Sequence, residues 1–190
     1  MTQKPATRAK ALEAYLVAAA QSGDAKALAQ LAKMVGPRLL AHASRLMGDA
    51  EVARDIVQSA WVDILRALPS LREPAAFRAF ALRIVTRKVA AQIKTRQRDR
   101  SLAQSYANGA ETAAAPLGDI SADAATVRAA INALPPAHRV TLALFYLEDL
   151  SVPEVADVLH IPTGTVKTRL MHARAKLRAS LEGDSHVKTG

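Results

Sequence analysis

The 190-residue chain has no cysteine. That excludes a disulfide framework, a thiolate nucleophile and a cysteine-based zinc site, and it fits a reducing compartment. Aromatic residues make up only 4% of the chain, with a single Trp, whereas half of the residues are hydrophobic and alanine is abundant. The β-branched alternation of strands is scarce, so an all-α protein is expected. The five histidines, His42, His138, His160, His172 and His186, are scattered without a metal-ligand spacing, and no phosphate-cradling glycine loop occurs. Nothing recommends an enzyme, a metal or a cofactor. Long apolar runs are also lacking. Lys4, Arg8 and Lys10 precede an apolar stretch from Leu12 to Ala20, but Glu13 interrupts it and the pattern continues as a helix through Leu28, Leu31 and Val35. No secretory signal and no membrane attachment are expected, and the cytoplasm is the expected location.

Acidic residues are outnumbered, 17 against 26 Lys and Arg, for a formal charge of +9. A polyanionic partner follows, either nucleic acid or an acidic membrane surface. The charge is unevenly placed. From residue 101 through 127 there is no Lys or Arg, and the stretch holds Gly109, Pro116, Gly118 and the acids Glu111, Asp119 and Asp123. Residues 101–123 therefore read as a flexible linker between two small helical domains, 1–100 and 124–182, with 183–190 as a disordered tail.

The second domain has the most informative pattern. Pro135 and Pro136 open a helix whose apolar residues Val140, Ala143, Leu144 and Leu147 share one face. Ser151 stands three residues before Glu154, the capping-box spacing, and opens a helix expected to bury Val152, Val155, Ala156 and Leu159. His160-Ile161-Pro162 ends it, and Thr163 is the expected N-cap of a final helix with Val166, Leu170, Ala173 and Leu177 inward. That final helix has no acid between Thr163 and Glu182. Its outer face is expected to carry Thr165, Thr168, Arg169 and His172, with Lys167, Arg174, Lys176 and Arg178 placed for phosphates. A solvated basic face on a plain three-helix bundle is the competing reading. Two capped helices, a short turn and unbroken positive charge favour a helix-turn-helix DNA reader.

In the first domain, Asp49 is expected to cap a helix running to about Leu68, with Ala53, Ile56, Val57, Ala60, Ile64, Ala67 and Leu68 inward. Trp61 and Leu65 fall at the edge of that stripe beside Asp55, Gln58 and Val62, which suggests either a partner surface or plain helix packing. A loop with Pro69, Ser70, Leu71 and Arg72 follows, then a helix from Ala75 to about Arg98 that buries Phe77, Phe80, Ala81 and Ile84. Arg83, Arg87 and Lys94 recur on its outer face, a row suited to a phosphate backbone. Lys88 falls within the inward stripe, where its stem can pack while the ammonium reaches water.

In this order, the two halves resemble the extracytoplasmic-function class of bacterial sigma factors. The stretch from LPPAHR through DLSVPEVADVLHIPTGTVKTRLMHARAKLR is similar to region 4, and the run PRLLAHASRLMGDAEVARDIVQSAWVDILRAL with FRAFALRI is similar to region 2. The resemblance implies binding to core RNA polymerase and direction of promoter recognition and transcription initiation. Region 4 would read duplex DNA near −35 through Thr163, Thr165, Lys167, Thr168, Arg169, His172, Arg174 and Lys176, and dock on the polymerase flap. Region 2 would bind the polymerase clamp through Asp55, Gln58, Trp61, Val62 and Leu65. Its loop, with Ser70, Leu71 and Arg72, would capture a base flipped from the −10 element, while Arg83, Arg87 and Lys94 hold the melted non-template strand. The linker would thread toward the transcript-exit path, and an anti-sigma protein is a further expected partner. The chain departs from the family pattern with Phe80 for the common Trp, Thr86-Arg87 for Arg-Asn, Lys88 for an apolar residue and His160 for Gly. Two other readings remain: an autonomous helix-turn-helix regulator, which needs neither the Trp61 face nor the helix after Pro74, and a sigma-like decoy, which would lack the basic face of the last helix.

Overall fold

The computed structural model describes residues 5–104 and 122–187, with side chains described for residues 8–99 and 126–181. These residues form eight α-helices and short 3-10 and π turns, with no strand among them. The helices fall into two units, each with its own core.

The first unit contains α1 (Pro5–Gln21), α2 (Ala25–Met47), α3 (Ala50–Ala67) and α4 (Phe77–Gln104). Gly23, at φ 93°, turns the chain between α1 and α2, and Asp24 caps α2 by accepting from the amides of Lys26 and Ala27. Gly48 closes α2 in the left-handed region, and Asp49 caps α3 as its position suggested, accepting from Glu51 and Val52. Pro37 lies within α2 on its exposed side without ending it. Packing of α2 against the other three helices buries Val17, Leu31, Leu39, Ala43, Ile64, Phe77, Leu82 and Val85. The α3 stripe is buried as expected except for Ala67, which is half-buried. Phe80 is also half-buried rather than enclosed, because Phe77 fills the interior and tilts against it with ring centroids 6.2 Å apart.

Two of the polar residues buried in this unit pair with each other. His42 on α2 and Thr86 on α4 share a 3.0 Å hydrogen bond between Nε2 and Oγ1, so Thr86, one of the departures in the sequence, is the buried partner of a histidine. Between α3 and α4 the chain makes two short 3-10 turns, Leu68–Ser70 and Pro74–Ala76, so α4 begins at Phe77 rather than Ala75.

The second unit contains α5 (Ala122–Asn132), α6 (Pro136–Leu142), a π turn (Ala143–Leu147), α7 (Val152–Leu159) and α8 (Thr163–Val187). Its core gathers Leu134, Leu142, Ala173 and Leu177. The π turn corrects one expectation. The Glu148 amide bonds back five residues to the carbonyl of Ala143, which widens the turn and rotates Leu147 outward to 43% exposure. Leu150 is buried in its place, after Asp149 at φ 57°.

The capping box of α7 forms in full: the Ser151 amide donates to Glu154 Oε2 at 2.7 Å and the Glu154 amide to Ser151 Oγ at 3.4 Å. Val158 is buried on α7 while Val152 and Leu159 are only half-buried, so the inward stripe is turned by about one residue from the expected one. His160 takes the left-handed conformation at φ 52°, and the Ile161 amide donates to the Ala156 carbonyl to close the helix. Pro162, whose carbonyl accepts from Val166, occupies the flanking position that was expected of Thr163, and Thr163 is the first helical residue.

The stretch expected as a linker lies mostly outside the described residues, at 105–121, although α4 extends to Gln104 and α5 starts at Ala122. Of the expected tail, 183–187 continue α8 as helix, and 188–190 lie outside the described residues.

Candidate nucleic-acid interface

On α8, Val166, Leu170 and Ala173 are buried, which leaves the other side of the helix to solvent. Its outermost line is Gly164, Thr168, Met171 and Ala175, all exposed, and Met171 is a large apolar side chain at 57% exposure. The Thr168 hydroxyl donates to the Gly164 carbonyl at 3.0 Å, so Thr168 offers a methyl group and acceptor lone pairs outward. The basic residues divide along the two flanks of this line, as their helical spacing requires. Thr165, Arg169, His172 and Lys176 form one flank, with Thr165 and Arg169 half-buried and His172 and Lys176 exposed. Lys167, Arg174 and Arg178 form the other, all exposed. Thr163 is exposed at the helix start, so all eight residues expected at this interface lie on the free surface of α8.

Each flank is supported by α6 and the turn after it. His138 on α6 meets His172 edge-on, with ring centroids 6.0 Å apart. Burial pushes the His138 pKa below its ordinary value, and the positive surroundings of His172, Lys176 and Arg169 push the same way. His172, Lys176 and Arg169 thus gather on one flank around His138. On the other flank, Arg174 Nε donates to Tyr146 Oη at 2.6 Å, and the guanidinium carbon lies 5.5 Å from the ring centroid. The π turn is what carries Tyr146 out to meet Arg174. The sequence does not mark His138 or Tyr146 for this interface, since contacts of α6 and the turn after it with α8 have no local sequence signal.

In the first unit, Asp55, Gln58, Val62 and Leu65 lie together on the exposed side of α3, Val62 at 45% and Leu65 at 43%. Trp61 is half-buried at the edge, so it both packs and contributes to the surface. The opposite edge of α3 holds Ser59 and Asp63, and Lys88 reaches across from α4 to both, at 2.9 and 2.7 Å. The Lys88 ammonium thus ends in an ion pair rather than in water alone. That hydrogen bond is the main reason the Asp63 carboxyl is held below its usual range, with Arg66 and Arg87 adding to it.

Arg83, Arg87 and Lys94 share a face of α4, Arg83 half-buried with its guanidinium 5.9 Å from the Phe80 ring, the other two exposed. In the loop, Ser70 and Arg72 are exposed and Leu71 half-buried, and the Ser70 hydroxyl donates to the Ala67 carbonyl at 2.7 Å. Farther along α4, Arg96 reaches the capping carboxylate Asp49 at 2.9 Å, which pulls the Asp49 pKa down. Among the described residues, no group of three His, Asp or Glu is arranged to hold a metal ion, and no helix is long and apolar enough to cross a membrane.

Comparison with known proteins gives consistent results for both units. The family described as Sigma-70 region 2 matches residues 31–99, and Sigma-70 region 4 matches residues 124–177. The chain is 30% identical over 178 residues to the RNA polymerase sigma-H factor of Pseudomonas aeruginosa, covering 88% of this chain and 92% of that protein. It is 31% identical over 185 residues to the RNA polymerase sigma factor CnrH of Cupriavidus metallidurans, covering 90% of this chain and 94% of the relative. A solved structure of CnrH in complex with the cytosolic domain of CnrY matches with a TM-score of 0.66 at 28% identity, over 91% of this chain and 99% of that one. The fold is also that of the sigma factor RpoE of Bartonella quintana, solved with the anti-sigma factor NepR, at a TM-score of 0.71 and 24% identity over 83% of this chain and 98% of that one.

Proposed function

Given that the chain belongs to the extracytoplasmic-function class of RNA polymerase sigma factors, which direct promoter recognition and are not enzymes, we propose the following division of labour among its residues. The second unit reads the upstream promoter element with α8 in the major groove. Gly164, Thr165 and Thr168 let the backbone approach the groove floor, and Arg169 reaches a guanine edge through two parallel hydrogen bonds. Lys167, Arg174 and Lys176 anchor phosphates on either side. Tyr146 prepares Arg174 for this: with Nε on the phenol, the remaining N–H groups are left for a phosphate oxygen. His172 and Thr163 complete the contact surface.

In the first unit, Asp55, Gln58, Trp61, Val62 and Leu65 bind the polymerase clamp. Ser70, Leu71 and Arg72 receive an unstacked base of the downstream element. Arg83, Arg87 and Lys94 track the melted non-template strand, replacing some of the stacking energy lost, which is on the order of a few kcal/mol per base. Residues 101–123 act as the linker, and residues 1–100 and 124–182 as the two domains it joins.

In this reading an anti-sigma protein is a further partner, supported by likeness. CnrH is seen bound to the cytosolic domain of a second protein. An anti-sigma protein that covers the same surfaces would hold this chain inactive in the cytoplasm.

The observation that carries this reading is the pairing of a basic recognition helix with no acid from Thr163 through Leu181 in one unit with the exposed apolar side chains of Val62 and Leu65 in the other. A regulator acting without polymerase has no use for the second. The test is co-purification with core RNA polymerase followed by run-off transcription on genomic fragments. Specific transcripts that depend on the chain are expected; binding to DNA with no association with core enzyme would overturn the reading.

A further inference from the structure

The loop proposed to receive the unstacked base holds its own shape through a few local hydrogen bonds, Leu71 amide to Leu68 carbonyl and Ala76 amide to Glu73 carbonyl among them. Residues 68–76 comprise two single 3-10 turns, and Pro69 and Pro74 supply no amide hydrogen. Two of its carbonyls are also fixed from outside. Gln21, the last residue of α1, donates both hydrogens of its side-chain amide into the loop, to the carbonyl of Leu68 at 2.9 Å and to that of Leu71 at 2.7 Å. The Leu68 carbonyl also accepts from the Leu71 amide at 3.1 Å, so the same two residues are locked twice.

The far end of the loop is held by the same helix. Glu13, two turns earlier on α1 and only 4% exposed, pairs with Arg78 at 2.7 Å, and Arg78 lies in the first turn of α4 directly after Pro74–Ala76. α1 packs against both 3-10 turns as well as against α4. Its own end is firmly made: the Ser22 and Gly23 amides bond back to the last turn, and Asp24 then caps α2. All of α1 precedes residue 31, where the match to region 2 begins.

We propose that α1 is the template for the base-receiving loop, with Gln21 and Glu13 as positioning residues that hold residues 68–76 in the shape that accepts an unstacked base. This rests on the reading of Ser70, Leu71 and Arg72 as the capture site. A pocket that must compete with base stacking gains most when its backbone needs no rearrangement on binding. Gln21 provides that order from outside the loop and touches no DNA itself.

Holoenzyme assembled from core polymerase and the full chain is offered fork-junction promoter DNA randomised in the melted non-template strand. Enrichment of the preferred base at the captured position should fall roughly tenfold in Gln21→Met and in Gln21→Glu, the size expected for two lost hydrogen bonds. Affinity for core enzyme and for the upstream duplex element should hold, and hydrogen exchange at the Leu71 amide should speed up in both variants. Gln21→Lys, which restores N–H donors at similar reach, should recover part of the preference; a purely structural role would give no such split. Ser70→Ala and Leu71→Ala separate the two layers of the idea. If they alter base preference and the Gln21 variants do not, the loop reading stands and the template is overturned. If neither set alters it, the loop reading falls and takes the template with it. Global unfolding of Gln21→Met, a half-exposed residue at a helix end, would also contradict a role confined to the loop.

Discussion

Arg169 and Lys176 lie on one flank of α8, two turns apart, and the same charge is expected to serve different ends. Arg169 is half-buried near the part of the helix proposed to enter the groove, whereas Lys176 is exposed farther along. Arg169→Ala should relax sequence preference at one or two positions of the upstream element and cost about 1–3 kcal/mol on the preferred promoter. Lys176→Ala should weaken preferred and scrambled promoters alike and lower the salt dependence by roughly one counterion. Holoenzyme binding to matched promoter variants at several salt concentrations measures both; if the two phenotypes were exchanged, the helix would sit in the groove the other way. A second residue-scale consequence belongs to His42, whose pKa burial lowers from 6.5 to about 3. Between those values the unfolded chain binds a proton that the folded chain excludes. The stability involved is complete above pH 6.5 and is lost as pH falls, at up to about 1.4 kcal/mol per unit, or roughly 2 kcal/mol by pH 5. Asp49 and Asp63, with lowered carboxyl pKa values, change stability in the same sense at lower pH. The His42 share is therefore read as the difference in urea midpoints between the wild type and His42→Gln at pH 5 and pH 7. Equal pH dependence in the two proteins would exclude His42 as the group responsible.

At the scale of elements, what was legible in the sequence was what is written locally. Asp49, Ser151 with Glu154, the paired prolines that open α6 and the His160 turn each act within a few residues of their own position, and each does what its spacing indicates. The π turn was not legible. A stripe of Val140, Ala143, Leu144 and Leu147 satisfies the ordinary helical period, and nothing nearby announces that the Glu148 amide will bond to Ala143 instead of Leu144. Its outcome, Tyr146 presented to Arg174, is a long-range contact that tertiary packing decides. The spacing places Lys88 in the inward stripe but does not indicate its partners, since Ser59 and Asp63 come from another helix. The clearest element-scale prediction concerns α3. Truncating Trp61 and Leu65 together to Ala should weaken core polymerase binding by on the order of 2 kcal/mol or more, as for interface anchors generally. DNA binding by the second unit and the helical circular dichroism signal should both survive. Unchanged core affinity in the folded double variant would remove α3 from the clamp interface.

For the molecule as a whole, the surfaces proposed for recognition are split between two units with separate cores. Each unit alone offers a small surface. In the proposed reading α8 is one recognition helix, and the loop with the α4 face would make single-strand contacts that have no target in closed duplex DNA. The net charge of +9 gives any duplex a sequence-independent attraction that salt removes. The free protein should therefore bind duplex promoter DNA weakly, with little preference over a scrambled duplex, and this residual binding should fade between about 50 and 200 mM salt. In the proposed reading core polymerase would change the arithmetic by holding both units against one DNA molecule, so that engagement of the second site becomes intramolecular and the two affinities combine. A gel-shift series with and without core enzyme, on preferred and scrambled promoters at two salt concentrations, reads this directly. Specificity should emerge only in the lanes containing core enzyme. It should also shrink when the DNA is cut between the upstream and downstream elements, because the link that makes the second contact intramolecular is then gone. Tight, sequence-specific binding by the free chain would show that one unit suffices, which is the behaviour of an autonomous regulator and not of a factor whose two reading heads are aligned by the polymerase.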